Sequence, residues 1–171
     1  MHYKRVFLVG FMCSGKTTFG KLLSESLGWS FVDIDQEVER REGMPIRDIF
    51  EKKGEEYFRR LEFEILRSMA EKEKVVISTG GGLGASLEAM EFMKTKGLVV
   101  WLKIDFETFL ERCGQDPSRP LLKRGKEELL RLFEKRSQVY KQASLILDGT
   151  ANPKELVQKF FETCKGFKDI L

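Results

Sequence analysis

The sequence has little histidine and no pattern of paired cysteines, and each shortage excludes a class of function. Its single histidine, His2, lies at the chain start, which argues against mechanisms that need a histidine base or a multi-histidine metal site. The three cysteines, Cys13, Cys113 and Cys164, are odd in number and show no C-x-x-C spacing. This argues against a disulfide framework and a zinc site, and it predicts reduced thiols.

The sequence also lacks a long apolar run and a strong charge of one sign. No run approaches the ~20 residues that a membrane helix needs, and the chain start has no signal-peptide core. Thirty Lys and Arg are interleaved with 27 Asp and Glu, so the net charge of +3 provides no basic tail for nucleic acid. These features predict a cytoplasmic protein that binds neither membrane nor nucleic acid. The length of 171 residues predicts one domain, 1–171, with one active site.

Short apolar segments alternate with longer amphipathic ones. The strand-like segments are Arg5 to Val9, Ser30 to Ile34, Lys74 to Ser78, Leu98 to Leu102 and Ser144 to Leu147. Apolar spacings of three and four predict helices at Lys16 to Leu27, Glu55 to Met69, Leu87 to Lys94, Phe106 to Arg112, Lys126 to Lys141 and Pro153 to Phe161. The alternation predicts an α/β fold in which helices cover both faces of a parallel sheet and ligands bind at the carboxyl ends of the strands.

A glycine-rich segment follows the first predicted strand directly. Residues Gly10 to Thr17 read G-x-x-x-x-G-K-T, the P-loop pattern, whose backbone N–H groups converge on phosphate oxygens at a helix start. Lys16 would bridge the β- and γ-phosphates, and the Thr17 hydroxyl would bind Mg²⁺. The segment predicts an ATP-binding phosphotransferase. Its nucleotide-contacting residues would be Met12, Cys13, Ser14, Gly15, Lys16, Thr17 and Thr18.

Two aspartates follow the second predicted strand. In an extended chain the carboxylates of Asp33 and Asp35 would share a side, roughly 6–7 Å apart, so that one serves the metal while the other meets a substrate hydroxyl. Capping of a helix that begins at Gln36 is an alternative role for Asp35, and it is compatible with catalysis.

A glycine triplet, Gly80 to Gly82, follows the third predicted strand. It either lets the backbone approach a ligand or forms a simple strand-to-helix turn. Since no acidic residue ends this strand, Asp33 is expected to supply the carboxylate near Mg²⁺.

Three arginines, Arg59, Arg119 and Arg136, are candidates for the same edge of the sheet. A guanidinium suits a carboxylate or a transferring phosphoryl group, although a solvated helix face is the commoner position for an arginine. Arg119 lies in the segment Gly114 to Gly125, which suits a mobile lid and a solvated connection equally well.

Taken together, the motifs resemble those of the shikimate kinase family. They run collinearly over nearly the whole chain: G-x-x-x-x-G-K-T, then D-x-D at Asp33, F-R-x-x-E at Phe58, G-G-G at Gly80, R-P-L-L at Arg119 and R-x-x-x-Y at Arg136. The resemblance implies transfer of the ATP γ-phosphate to the 3-hydroxyl of shikimate, with Mg²⁺. It also implies a P-loop three-layer α/β/α fold like that of nucleoside monophosphate kinases, with a five-stranded parallel sheet of order 2-3-1-4-5.

The resemblance further implies roles for individual residues, and the sequence shows no surplus apolar face, which predicts a monomer. The substrate-binding segment would lie at about 35–60 and the lid at about 114–125. Lys16, Asp35 and Arg119 would be catalytic, Thr17 and Asp33 would serve Mg²⁺, and Arg119 would also contact the γ-phosphate. Shikimate would be held by Asp35, Arg59, Gly80, Gly81, Gly82 and Arg136, with the two arginines on its carboxylate. Adenine would be held by Arg112, Asn152 and Pro153.

Cys13 departs from the family pattern, because glycine commonly stands at this position of the loop. A side chain is acceptable there if the backbone keeps φ below zero. The thiol is then either a small buried group or a point of sensitivity to thiol reagents.

Two other functions remain open from the sequence. One is a different small-metabolite P-loop kinase, such as a gluconate kinase. The other is a regulator that binds ATP without transferring phosphate.

Overall fold

The strands form one parallel sheet in the computed structural model, which describes residues 3–113 and 125–165. They are β1 (Arg5–Val9), β2 (Ser30–Asp33), β3 (Val75–Ser78), β4 (Leu98–Lys103) and β5 (Leu145–Asp148). Their order is β2-β3-β1-β4-β5, and all neighbouring strands pair in parallel. The predicted order is therefore confirmed, and all five carboxyl ends lie at one edge of the sheet.

Helices connect the strands. In the described ranges they are α1 (Lys16–Leu27), α2 (Ile34–Glu42), α3 (Ile46–Lys53), α4 (Glu55–Met69), α5 (Gly81–Gly84), α6 (Leu87–Lys96), α7 (Phe106–Cys113), α8 (Lys126–Tyr140) and α9 (Pro153–Lys165). The six helices expected from apolar spacing are present, with ends that shift by at most a few residues. The same spacing does not predict α2, α3 or α5. The first is anticipated only by the alternative of a helix that begins at Gln36, α3 is short, and α5 consists mostly of glycine.

Alternate residues of β1 enter two different apolar layers. Phe7 and Val9 pack in the layer that holds α2 to α8, whereas Val6 and Leu8 pack against α1 and α9. All four side chains are almost completely buried. A strand buried on both faces requires helices above and below it, which gives the predicted three-layer α/β/α arrangement.

The second strand ends earlier than predicted. Asp33 is the N-cap of α2, where its Oδ1 accepts a hydrogen bond from the Gln36 N–H at 3.2 Å. An aspartate at this position satisfies an otherwise unpaired amide and ends the extended segment. The prediction of one extended run through Asp35 is therefore wrong, as is the alternative that Asp35 caps the helix. Asp35 lies in the first turn of α2.

The predicted lid lies almost entirely outside the residues that the structure describes. Of the segment Gly114 to Gly125, residues 114–124, which include Arg119, lie outside the described ranges. Gly125 precedes α8 with φ of 85°. Among the helices that are described, none has the length and apolar character needed to cross a bilayer.

Candidate active site

The glycine-rich loop lies between the carboxyl end of β1 and the first turn of α1, as the sequence predicts. Gly10 and Gly15 adopt φ of 152° and 93°, a region that glycine enters without strain. A side chain on Gly10 would collide with the backbone of β4, since its Cβ would lie 2.7 Å from the Leu102 carbonyl oxygen. The loop therefore has the backbone shape of an anion cradle at a helix N-terminus.

Lys16 crosses back over this loop. Its Nζ donates hydrogen bonds to the carbonyl oxygens of Gly10 at 2.7 Å and Phe11 at 3.0 Å, and it lies 3.4 Å from the Ser14 Oγ. Only 9% of the residue is exposed. A buried ammonium held by loop carbonyls places a full positive charge where phosphate oxygens would enter.

Thr17 and Asp33 bring two oxygen ligands together beside the loop. The Thr17 Oγ1 donates a hydrogen bond to the Asp33 Oδ2 at 3.0 Å. A hydroxyl and a carboxylate are oxygen donors of the kind that Mg²⁺ prefers, and the remaining ligands would be water and phosphate. In the part of the chain that the structure describes, no cluster of three or more His, Cys, Asp or Glu residues could hold a metal alone. The pair therefore fits a metal that arrives with the nucleotide.

The glycine triplet is surrounded by the three side chains predicted to hold the substrate. A Cβ on Gly80 would lie 2.8 Å from the Asp35 Oδ1, and one on Gly81 would lie 3.1 Å from the Arg136 Nη1. A side chain on Gly82 would collide with the Arg59 guanidinium. The triplet thus allows a carboxylate and two guanidiniums to reach one small space beside the P-loop.

Asp35 is electrostatically linked to both halves of the site. Burial raises its pKa to about 6, the neighbouring Asp33 carboxylate adds to the rise, and Lys16 and Arg59 oppose it. A carboxyl group whose pKa approaches neutrality is suited to accept a proton from a hydroxyl.

Glu62 also lies in the site. The sequence predicts no role for it, although it belongs to the F-R-x-x-E motif. Its Oε1 accepts a hydrogen bond from the Arg59 Nη1 at 2.8 Å, and Glu55 makes a longer ion pair with the Arg59 Nε at 3.6 Å. Glu62 is 1% exposed, and burial raises its pKa to about 7 although Arg59 opposes the rise. The signal in the sequence is its position one turn after Arg59 on α4, which lets Glu62 orient that guanidinium.

Arg136 and Tyr140 lie one turn apart on α8 and both face Gly81. The Arg136 guanidinium lies 5.8 Å from the centre of the Phe11 ring. The fully buried Tyr140 donates a hydrogen bond from its hydroxyl to the Gly81 carbonyl oxygen at 2.6 Å. Because burial raises the pKa of Tyr140 above its ordinary value, the hydroxyl remains a donor. Tyr140 therefore fixes the peptide that Arg136 approaches.

The predicted adenine residues lie on α7 and at the start of α9. Arg112, near the end of α7, donates hydrogen bonds to the Cys13 carbonyl oxygen at 3.1 Å and to the Gly149 carbonyl oxygen at 3.0 Å. Asn152 accepts a hydrogen bond from the Lys154 N–H through its Oδ1 at 2.9 Å, and Pro153 begins α9. Arg112 thus connects the P-loop with the turn after β5.

The prediction of reduced thiols is wrong for two of the three cysteines. Cys13 and Cys113 form a disulfide whose Cα atoms are 6.1 Å apart, and Cys164 is free and buried. The condition placed on Cys13 is not met either, because its φ is 63°. The two cysteines are 100 residues apart in sequence, so local spacing does not predict their pairing. They meet only because the fold brings α7 to the loop.

A P-loop followed by α1 in a 2-3-1-4-5 parallel sheet defines a P-loop phosphotransferase with a nucleoside monophosphate kinase-like fold. A family model described as "Shikimate kinase" matches residues 12–165. The chain belongs to the shikimate kinase family.

Relatives and solved structures agree with this assignment. The shikimate kinase of Aquifex aeolicus is 54% identical over 162 residues, covering 95% of this chain and 96% of that protein. A crystal structure of shikimate kinase from Aquifex aeolicus superposes with a TM-score of 0.90 at 53% identity, covering 96% of this chain and 98% of the other. The structure of shikimate kinase from Acinetobacter baumannii in complex with shikimate superposes with a TM-score of 0.88 at 35% identity. The match covers 97% of this chain and 95% of the other.

Proposed function

We propose that this protein transfers the γ-phosphate of ATP to the 3-hydroxyl of shikimate, giving shikimate 3-phosphate and ADP on the route to chorismate and the aromatic amino acids. Membership of the shikimate kinase family supports the reaction. The observation that carries it in the structure is the meeting of Asp35, Arg59 and Arg136 around the glycine triplet, directly beside the P-loop. This arrangement provides one place for a small carboxylated alcohol and a phosphate donor.

In the proposed reaction the loop holds the triphosphate and Lys16 neutralises charge on the transferring group. Phosphoryl transfer requires mainly alignment and charge stabilisation, so the shortage of histidine is no obstacle. Mg²⁺ would be held by Thr17 and Asp33, either of which can act through water, and it would offset negative charge on the phosphate oxygens. Arg119 is proposed to add a further positive charge, and Arg112, Asn152 and Pro153 are proposed to bind adenine.

The acceptor half of the proposal assigns the hydroxyls of shikimate to Asp35 and its carboxylate to the two arginines. Asp35 orients the attacking hydroxyl and takes its proton as the new O–P bond forms, while the bond to ADP breaks. Glu62 keeps Arg59 in place, and a backbone amide of the Gly80–Gly82 triplet can approach the substrate because no Cβ intervenes.

Use of ATP supports a cytoplasmic location, and we propose that the protein works as a monomer with neither nucleic acid nor membrane as partner. Sedimentation at the chain mass of 19.8 kDa would agree with a monomer, and a larger species would contradict it.

A coupled assay of ADP release tests the reaction directly. ADP formation is expected to depend on shikimate, and the product should carry one phosphate at the 3-position by NMR. If gluconate but not shikimate stimulated turnover, or if ATP bound and no phosphorylated product formed, the proposal would fail.

Arg136→Ala tests the carboxylate contact. The KM for shikimate is expected to rise roughly 30-fold, about 2 kcal/mol, because a charge-assisted pair is lost while the nucleotide contacts remain. The matched control is Arg131→Ala, which removes an exposed arginine from the same helix and should change neither KM. With a shikimate analogue that has a hydroxymethyl group in place of the carboxylate, the KM of the variant should be close to that of the unaltered protein. An unchanged shikimate KM with a raised ATP KM would place Arg136 in the other half of the site.

Tyr140→Phe tests whether the Gly81 peptide is held for the acceptor. Removing the hydroxyl leaves a partly buried carbonyl without its donor, so stability should fall by about 1 kcal/mol in urea unfolding. The KM for shikimate should rise more than the KM for ATP, because the Gly81 peptide lies on the acceptor side. Equal rises in both would indicate a general structural role.

A further inference from the structure

The disulfide joins two segments that meet at the nucleotide side of the site. Cys13 is in the P-loop, Cys113 is the last residue of α7, and their Cα separation of 6.1 Å lies inside the usual range for such bonds. The neighbouring Arg112 connects the same segments through its hydrogen bond to the Cys13 carbonyl oxygen. A covalent and a polar connection therefore fasten the loop to the helix that carries a proposed adenine contact.

Cys13 has a backbone conformation that an L residue does not adopt without strain. Its φ of 63° is in the left-handed region, where glycine is the favoured residue. Without a restraint a cysteine at this position favours negative φ, which would change the backbone path of the loop. A crosslink to Cys113 opposes that change.

We propose that Cys13 and Cys113 form a reversible thiol–disulfide site that sets the affinity of the loop for nucleotide, the oxidised form binding more tightly. The crosslink holds the loop and the Arg112 end of α7 in their mutual arrangement before the nucleotide arrives, so less ordering is needed on binding. The inference rests on the proposed function only in taking the P-loop as the ATP site.

The oxidant that forms the Cys13–Cys113 bond is a low-molecular-weight disulfide, which reacts by thiol–disulfide exchange. Cys13 is half-buried whereas Cys113 is 3% exposed, so the Cys13 thiolate is the one that attacks. It forms a mixed disulfide and releases one thiol of the reagent, and the Cys113 thiolate then displaces the second. Two protein thiols lose two electrons and two protons, and the reagent becomes two thiols. Excess dithiol reverses both steps.

The test compares the intact protein after treatment with glutathione disulfide and after treatment with dithiothreitol. Thiol titration of the denatured protein should find one thiol in the oxidised form and three in the reduced form. Calorimetry with a non-hydrolysable ATP analogue, without shikimate, should show that Kd rises on the order of fivefold or more upon reduction. The thermal midpoint should fall by on the order of 10 °C.

Matched variants separate the pair from other thiol effects. Cys164→Ser should keep the redox difference, because Cys164 is outside the pair. Cys113→Ser should lose it and bind nucleotide as the reduced protein does. If that variant fails to fold, Cys13→Gly, which accommodates positive φ, should also be insensitive to redox treatment.

Three titratable thiols after oxidation, or equal Kd values in the two forms, would overturn the inference. Failure of the proposed function would look different, as a redox-dependent nucleotide Kd with no phosphorylated shikimate in either form.

Discussion

Lys16→Ala is expected to remove most of the turnover, lowering kcat by about 10²–10³-fold, as is typical when one preorganised charge contact to a transition state is lost. The lysine Nζ is held 2.7 Å from the Gly10 carbonyl oxygen and 3.0 Å from that of Phe11, so its charge is already placed in the loop before a ligand arrives. Steady-state kinetics with saturating shikimate provide the measurement.

Two further variants show whether the loss comes from the charge. Lys16→Met keeps most of the buried stem and should lose kcat nearly as fully, which separates charge removal from collapse of the loop. Lys21→Ala removes an exposed lysine from the same helix and should leave kcat unchanged. A kcat near the normal value in Lys16→Ala would refute the assignment of Lys16 to the transferring phosphate.

Much of the sheet and the nucleotide half of the site can be predicted from sequence because their signals are local. The P-loop is one continuous segment that includes its glycines, Lys16 and Thr17. The apolar strand before it and the helical pattern after it indicate that the motif is a true P-loop. The apolar runs predict the strands for the same reason, and the strand order follows from the family resemblance. The structure confirms that order.

The acceptor half is predicted less completely. The link between Tyr140 and Gly81 is long-range, and the link between Glu62 and Arg59 is local, but a glutamate one turn from an arginine is too common a pattern to indicate a site. Glu62 supports Arg59 and Tyr140 supports Gly81 through single hydrogen bonds, and the second pair is 59 residues apart in sequence. The pairing of Cys13 with Cys113 is hidden in the same way. The misplacement of Asp35 has a local cause, since an alternation of apolar and acidic residues does not show where a strand ends and a capped helix begins.

Asp35→Asn is expected to give the other large loss of activity, about 10²–10⁴-fold in kcat, because an amide cannot accept the proton of the attacking hydroxyl. In the unaltered protein the group must be ionised to act. Since its pKa is raised to about 6, kcat/KM for shikimate should fall as pH drops below about 6. A pH profile without this limb, or full kcat in the variant, would contradict the role.

The same substitution should stabilise the fold. A loss of activity in a more stable variant would be due to lost proton transfer and not to unfolding. The folded-state pKa of Asp35 is about 6 against an ordinary value of 3.8, so the folded state favours the protonated form and loses stability as pH rises between these values. Above pH 6 the neutral Asn removes a penalty of about 1–3 kcal/mol, and the thermal midpoint should rise. Glu37→Gln, in the same helix, is the matched control, because the pKa of Glu37 is shifted in the opposite direction. A hydrogen bond from Arg40 lowers the pKa of Glu37, so neutralising it should not stabilise the protein at pH 7. A lower midpoint for Asp35→Asn would mean that its carboxylate holds the fold together, and that its effect on kcat cannot be assigned to proton transfer.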